Sequence, residues 1–499
     1  MAINTKKIAK NSIYLYIRMV ITMLITIYSS RIVLQALEVE GFGTYNIIYG
    51  ITALFLFIQS SLNTSTLRFI SNSIVTSDKN KQIVIFNSSF QVTIILLLLT
   101  FILLETIGLY IVNDILKIGV EYKSVANICY QYCIVSYLAQ TLRIPFVSLI
   151  ISHERMSVYA ILSVVESIFK LIIAYLLVLN QERLVYYCFY LFISTLLCSI
   201  ITIIYCVIKF PTCRVLFKRY DKDDFKDILS FSSWTTLSSF SNSMSQQGGN
   251  ILMNIYSGVV ANAAWGIAHQ VNTAFAALAS SLQNAFTPQI NKSYAENDLD
   301  GLLSLLNRAS AIAYYLVLLI GVPIICNIDF ILQYWLITPP YYANSFCICI
   351  IIFQMIDTMQ APFNTLIFAT GKVKFYNIWL SAILILNIII SAICLSNGFS
   401  PVCVPLTMLG LNAFTGILRF LHIIHILQLN VRSYFYTYLT RMFLVTVICF
   451  ICSFLLTSIF DNDFVKIILS IIVTVFIICV IGVTKEDKTR LYRMLTCKF

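Results

Sequence analysis

The chain has 499 residues, of which 59% are hydrophobic and 11% are charged, with a formal net charge of +11. Soluble domains carry about 25% charged residues, so this composition excludes a protein that folds in water and leaves a polytopic membrane protein. The basic excess is then expected on loops at one membrane face, not on a nucleic-acid surface.

Lys6, Lys7 and Lys10 precede the first apolar run. That run is longer than a signal-peptide core and has no small-residue cleavage site, so a retained first helix is expected. Stretches of about 20 mostly apolar residues, the length that crosses a bilayer, fall at 11–34, 43–71, 83–112, 122–151, 158–179 and 184–208. After a polar stretch they resume at 228–256, 262–290, 305–333, 343–369, 378–396 and 403–428, and two more lie at 436–459 and 464–483. The expected fold is all-α, with about 14 transmembrane helices. Basic residues concentrate at the N-terminus, in alternate loops and in the tail, and few stand opposite them: Lys117, Lys123, Arg183 and Lys466. The positive-inside rule therefore puts both termini in the cytoplasm. The fifteen cysteines are scattered through apolar stretches and form no loop cluster, so no disulfide framework is expected. Cys449 and Cys452 match C-x-x-C but lie mid-span.

The longest polar connection, Lys209 to Asp227, divides the chain. The halves repeat. At a constant offset of 220, Ser60-Ser61-Leu62-Asn63 falls on Ser280-Ser281-Leu282-Gln283, Phe55 on Phe275, and Ser73 on Ser293. The offset spans six helices, an even number, so the repeat is parallel, as in transporters whose substrate path runs between two bundles. The expected division is a first six-helix bundle over 1–208, a cytoplasmic linker over 209–227, a second bundle over 228–430, and two additional helices with a basic tail over 431–499.

Three stretches carry a family likeness: "NSIYLYIRMVITMLITIYSSRIVLQALEVEGFGTYNI" at the start, "LQNAFTPQINKSYAENDLDGLLSLLNRAS" from Leu282, and "FATGKVKFYN" from Phe368. Across the first twelve spans the chain resembles the multidrug/oligosaccharidyl-lipid/polysaccharide exporter superfamily. Within it, it is most similar to the branch of O-antigen and capsule repeat-unit flippases. The resemblance implies a MATE-like pair of pseudo-symmetric bundles in a bacterial cytoplasmic membrane. It also implies a transporter, not an enzyme, acting on a lipid-linked oligosaccharide amid membrane lipid and alongside other polysaccharide-assembly proteins.

Basic residues inside spans are costly in hydrocarbon, about 2.5–3.5 kcal/mol each at mid-helix, so they need a reason. Arg18, Arg68 and Arg143 all lie in the inner half of the first bundle and are expected to face its interior. Arg31 and Arg419 complete the candidate cationic cavity, although Arg31, like Arg441, is also placed to snorkel. Guanidinium forks suit phosphate, so the cavity favours an anion. A polyprenyl diphosphate sugar fits: phosphates on arginine, sugars on neutral polar groups, the tail left in lipid. Gln246 and Asn250 in the hydroxyl-rich stretch Ser230–Asn250, with His269, Asn272 and Gln283 at helical spacing, supply candidate polar lining. Glu105, Glu166 and Asp357 are candidates for ion coupling, although Glu166 and Lys170, at i, i+4, are spaced to neutralise each other. His422 and His425 have no partner ligand, so no metal site is expected. No nucleotide-binding, zinc or serine-nucleophile motif occurs, and no cofactor is expected.

The expected function is a flippase that moves an undecaprenyl-diphosphate oligosaccharide from the cytoplasmic to the outer leaflet by alternating access. The alternative is a cation-coupled multidrug antiporter of the same superfamily. That class is expected to use carboxylates in the first bundle, where the first span here has arginines and no acid before Glu38. A membrane glycan polymerase or acyltransferase is disfavoured, because neither a large outer loop nor a catalytic His/Asp set is present.

Overall fold

A computed structural model describes residues 5–75, 78–116, 120–153, 155–177, 183–213, 221–296, 299–370, 373–427 and 438–482. With no water in a bilayer core, each span must satisfy its own backbone, and helices do this. All regular structure among the described residues is helical. The first half contains α1 (Thr5–Leu54), α2 (Leu56–Val75), α3 (Lys79–Leu103), α4 (Val120–Ser152), α5 (Met156–Leu176) and α6 (Arg183–Lys209). There follow α7 (Lys222–Ser257), α8 (Val259–Ala295), α9 (Leu299–Cys326), α10 (Ile328–Leu336), α11 (Ala343–Ala369), α12 (Val373–Ser396), α13 (Cys403–Leu427), α14 (Thr440–Ile459) and α15 (Asp463–Ile477).

Helix begins where polar caps allow it. Asp78 accepts from the backbone N–H of Asn80 at 2.9 Å at the start of α3, and Asp221 accepts from that of Asp223 at 2.8 Å at the start of α7. Helix occupies the described residues of all the expected spans apart from short turns. Eleven described helices are long and apolar enough to cross a membrane by length and composition. The expected spans that fall short lie on α2, α7 and α8, whose serine, threonine, asparagine and glutamine content dilutes their hydropathy.

α1 is broken at Glu38, where φ is 59° and ψ 177°. A helix broken there leaves carbonyls of the preceding turn unpaired. One of them, Ala36 O, accepts from Arg183 Nη1 on α6 at 2.9 Å. The break separating α7 from α8 has the same form, with Gly258 at φ 79° and ψ −171°. Gly258 is the counterpart of Glu38 at the offset of 220, so the sequence repeat extends to backbone conformation.

The chain forms two compact units, one of residues 1–266 with 384–401 and the other of 267–383 with 402–499. In the first, α4 packs on α6, α1 on α5, and α2 on α7. Ile70, Phe86, Phe90, Phe146 and Ile150 form one apolar core there. Small and polar residues let other helices approach closely: Ser61 Oγ donates to Ser232 O and Ser232 Oγ to Ser65 Oγ across α2 and α7. In the second unit, α11 packs on α9 and α13. Leu318, Val322, Ile351 and Val445 form one core, and Leu302, Leu306, Phe363 and Tyr376 another.

Candidate functional site

The first unit holds a partly open cavity of about 660 Å³ between α1, α2, α4 and α5, with Thr202 of α6 also in its lining. Each helix gives it a polar stripe at helical spacing. Arg18, Thr22 and Thr26 come from α1; Gln59, Ser60 and Asn63 from α2; Gln140 and Arg143 from α4; and Tyr159, Ser163, Glu166 and Lys170 from α5. The threonines are tolerated in an apolar helix because they return their protons to their own backbone: Thr26 Oγ1 donates to Thr22 O at 2.8 Å. Gln59 ties α2 to α4, donating to Tyr137 O at 3.1 Å and Thr141 Oγ1 at 2.8 Å.

Charge in the cavity is uneven. Arg143 Nη1 lies 3.2 Å from Glu166 Oε2, and both side chains are about one-fifth exposed. Lys170 Nζ lies 3.5 Å from Glu166 Oε1 but is half exposed. Among the described residues no carboxylate pairs with Arg18. Its guanidinium carbon stands 4.9 Å from the centroid of the Tyr159 ring, and its Nε is buried without a hydrogen-bond partner. Cation–π contact of this kind contributes on the order of 0.5–2 kcal/mol and leaves the N–H groups directed elsewhere. Arg18, Arg143 and Lys170 against Glu166 leave the lining with a net positive charge of two.

A profile described as "Polysaccharide biosynthesis protein" matches residues 8–293, more than half of the chain and all of the cavity lining. The chain belongs to this family. The resemblance read from the sequence is upheld, and with it the all-α, multi-pass membrane fold. Its fold is similar to that of the lipid II flippase MurJ in an inward closed conformation, with a TM-score of 0.71, 14% identity, and coverage of 98% of this chain and 100% of that one. It is also similar to an inward-facing multidrug resistance MATE family transporter of the MOP superfamily, with a TM-score of 0.69, 15% identity, and coverage of 85% and 99%. A third likeness is to a MOP superfamily transporter from Pyrococcus furiosus described as having a binding pocket of reverse polarity, with a TM-score of 0.57, 15% identity, and coverage of 83% and 94%. Likeness at such identities establishes the fold alone. No curated protein sequence matches the chain.

Of the candidate arginines, Arg18 and Arg143 come together in the cavity of this family member. Arg68 is exposed on α2, in line with exposed Ser60 and Thr64, and its guanidinium carbon is 6.0 Å from the centroid of the Phe69 ring. It is not among the cavity lining, nor is Arg31, which is half-buried on α1. Arg419 belongs to the second unit and is buried. Its Nε donates to Tyr376 Oη at 2.9 Å and its Nη1 to Gln360 Oε1 at 2.8 Å.

The polar candidates are dispersed. Asn250 is buried in an amide cluster, donating to Asn46 O at 3.2 Å and accepting from Asn262 at 2.7 Å. His269 Nδ1 lies 3.2 Å from Thr273 Oγ1. Asn272 accepts from the buried Gln354, and Gln283 is half-buried on α8. The side chain of Gln246 lies outside the described residues, as does that of His425. Among the carboxylates, Glu166 lines the cavity. Glu105 sits in a π-helical turn, Leu104–Gly108, and accepts from Gln131 Nε2 at 3.2 Å. Asp357 is half-buried on α11, within the field of Arg419. Among the described residues no His, Cys, Asp and Glu cluster could hold a metal ion.

Sequence reasoning missed Tyr159, Gln59, Asn63 and Gln140. A signal existed on α5, where Tyr159, Ser163, Glu166 and Lys170 recur at i, i+4, i+7 and i+11 on one face.

Proposed function

We propose that the chain is a flippase that carries an undecaprenyl-diphosphate oligosaccharide from the cytoplasmic to the outer leaflet by alternating access, for assembly of a surface polysaccharide such as O-antigen or capsule. One observation carries this reading: two guanidinium groups, Arg18 and Arg143, line one cavity in which Glu166 is the single carboxylate among the described lining residues. Such a cavity replaces the solvation that acyl chains deny to a phosphate, and the neutral groups of α2 can pair with sugar hydroxyls. Membership of a polysaccharide biosynthesis family supports the substrate class. Both termini are read as cytoplasmic from the loop charges, in a bacterial inner membrane, with other polysaccharide-assembly proteins as neighbours.

Expression in a strain lacking its own flippase, supplied with lipid carriers of defined sugars, tests this. Export should be restored by the wild type and lost with Arg18→Ala/Arg143→Ala at normal protein level. Full export by that double variant would overturn the reading. The second reading, a cation-coupled multidrug antiporter, has the fold likeness to the multidrug MATE transporter in its favour. Against it, Glu166 is already engaged by two cations, and a net positive lining repels cationic compounds. Drug efflux by the wild type without glycan export would favour it.

A further inference from the structure

Ser60 and Asn63 reach the cavity from a helix that is broken just ahead of them. α1 ends at Leu54 and α2 begins at Leu56, so the expected span over 43–71 is interrupted at Phe55. No proline or glycine stands between Thr52 and Ile58 to explain it. The backbone there is wound tightly. Phe55 N–H donates to Thr52 O at 3.1 Å and Ile58 N–H to Phe55 O at 3.0 Å, each to the residue three back. The cause lies on α4. Tyr137, 4% exposed, donates its hydroxyl to Phe55 O at 2.8 Å. A side-chain group inserted into the i→i−4 ladder kinks a helix. The carbonyl of Tyr137 in turn accepts from Gln59 Nε2 at 3.1 Å. Tyr137 thus grips the chain on both sides of the break.

The second unit has the same seam without the break. Its apolar core repeats that of the first: Phe146, Leu149 and Ile150 on α4 have Phe363, Leu366 and Ile367 on α11 at a constant offset of 217. At that offset Tyr137 becomes Gln354 and Thr141 becomes Thr358. Gln354 donates to a side-chain oxygen, that of Asn272 on α8. α8 runs from Val259 to Ala295 through Phe275, the counterpart of Phe55, as one helix. A side-chain partner leaves the helical ladder intact, whereas a hydroxyl on a backbone carbonyl diverts it.

The break decides where α2 points. Three residues wound at 120° each, the 3₁₀ step, turn everything beyond them about 60° further than α-helical winding at 100°. Residues 51–54, ahead of the break, are all buried, while Ser60 and Asn63, beyond it, are exposed and line the cavity. We propose that Tyr137 is a positioning residue: by holding the tight turn at Phe55 it sets the bearing of Ser60 and Asn63 into the cavity. Its consequence for export rests on the flippase reading, in which these two groups meet sugar hydroxyls.

The test is thiol accessibility in the full-length chain in membrane vesicles, probed with a water-soluble maleimide. Cys479, which is exposed, and Cys497 are replaced by serine to lower the background. Ser60→Cys and Asn63→Cys report on α2, and Thr22→Cys reports on the same cavity from α1. Adding Tyr137→Phe should slow labelling at Ser60→Cys and Asn63→Cys by at least about threefold, as the ladder closes and α2 turns, and leave Thr22→Cys unchanged. Phe55 O keeps its bond from Ile58 N–H, so no buried acceptor is stranded. Combining Gln59→Leu with Tyr137→Phe removes the remaining tie and should deepen the effect. Unchanged labelling at both α2 sites in both variants would overturn the inference. So would slowing at all three sites, which marks a collapsed cavity and a merely structural tyrosine. Export is measured on Tyr137→Phe with Ser60 and Asn63 intact. Slowed export beside slowed labelling supports the role of these groups in transport. Normal export beside slowed labelling leaves the positioning by Tyr137 standing and overturns the pairing of α2 with the substrate.

Discussion

Glu38 and Gly258 share one backbone conformation across a separation of 220 residues, with φ 59°, ψ 177° at the first and φ 79°, ψ −171° at the second. This region of conformational space is essentially reserved for glycine and costs other residues about 1–3 kcal/mol. The second half obeys that rule and the first does not. Glu38→Gly is therefore expected to raise the thermal midpoint of the purified protein by about 1–3 degrees, the shift that about 1–3 kcal/mol produces in a chain of 499 residues. Gly258→Ala is expected to lower it. A Cβ there would meet nothing within 4 Å, so the loss would come from the backbone alone. Paired thermal unfolding curves check both outcomes.

Arg18 is expected to need its plane as well as its charge. Lysine keeps the charge but loses the stacking on Tyr159 and the fork. Arg18→Lys should reduce pyrophosphate affinity about 5- to 30-fold, on the order of 1–2 kcal/mol. Tyr159→Leu should reduce it less. Titration of both variants, beside wild type, gives the comparison.

Arg419 should behave differently, because its donors are already used by Tyr376 and Gln360. Arg419→Met would leave the buried Gln360 Oε1 without its donor and Asp357 without its neighbouring cation, while Tyr376 Oη keeps its bond to Asn364 Oδ1 at 2.6 Å, a loss of about 1–3 kcal/mol. The expected result is a lower yield of folded protein, with export per folded molecule near normal. Quantitative immunoblotting alongside export assays separates the two. Normal yield with lost export would instead put Arg419 in the transport path.

Gly50 and Gly266 let helices of the first unit approach closely. A Cβ on Gly50 would come 2.5 Å from Asn250 Nδ2, and one on Gly266 would come 2.5 Å from Asn46 Nδ2. Gly50→Val should therefore cost about 1–3 kcal/mol by overpacking. It should also perturb the amide cluster of Asn46, Asn250, Asn254 and Asn262. Detergent stability is the readout.

The helices were legible because hydrocarbon demands long apolar runs, and the repeat then matched α2 to α8, whose hydropathy is weaker. Depth and shared bundle grouped Arg18, Arg68 and Arg143; the first and last line the cavity, while the azimuth of Arg68 on α2 depends on packing that a single helix does not encode. The Glu166–Lys170 pair was visible as an i, i+4 spacing, but its third member was not. Arg143 sits 23 residues away on α4, and only the docking of α4 against α5 reveals it. The buried commitment of Arg419 was hidden for the same reason: Gln360 and Tyr376 reach it from α11 and α12.

The guanidinium of Arg183, bound to the carbonyl freed at the break in α1, alters the electrical bookkeeping of the chain. Arg183 is one of the few cations on the face opposite the basic loops, and it is spent on a helix end. Lys466, a second, is held 2.7 Å from Asp463. In the folded protein each of these two cations is held by a partner within its own chain, so neither is left bare toward its surroundings.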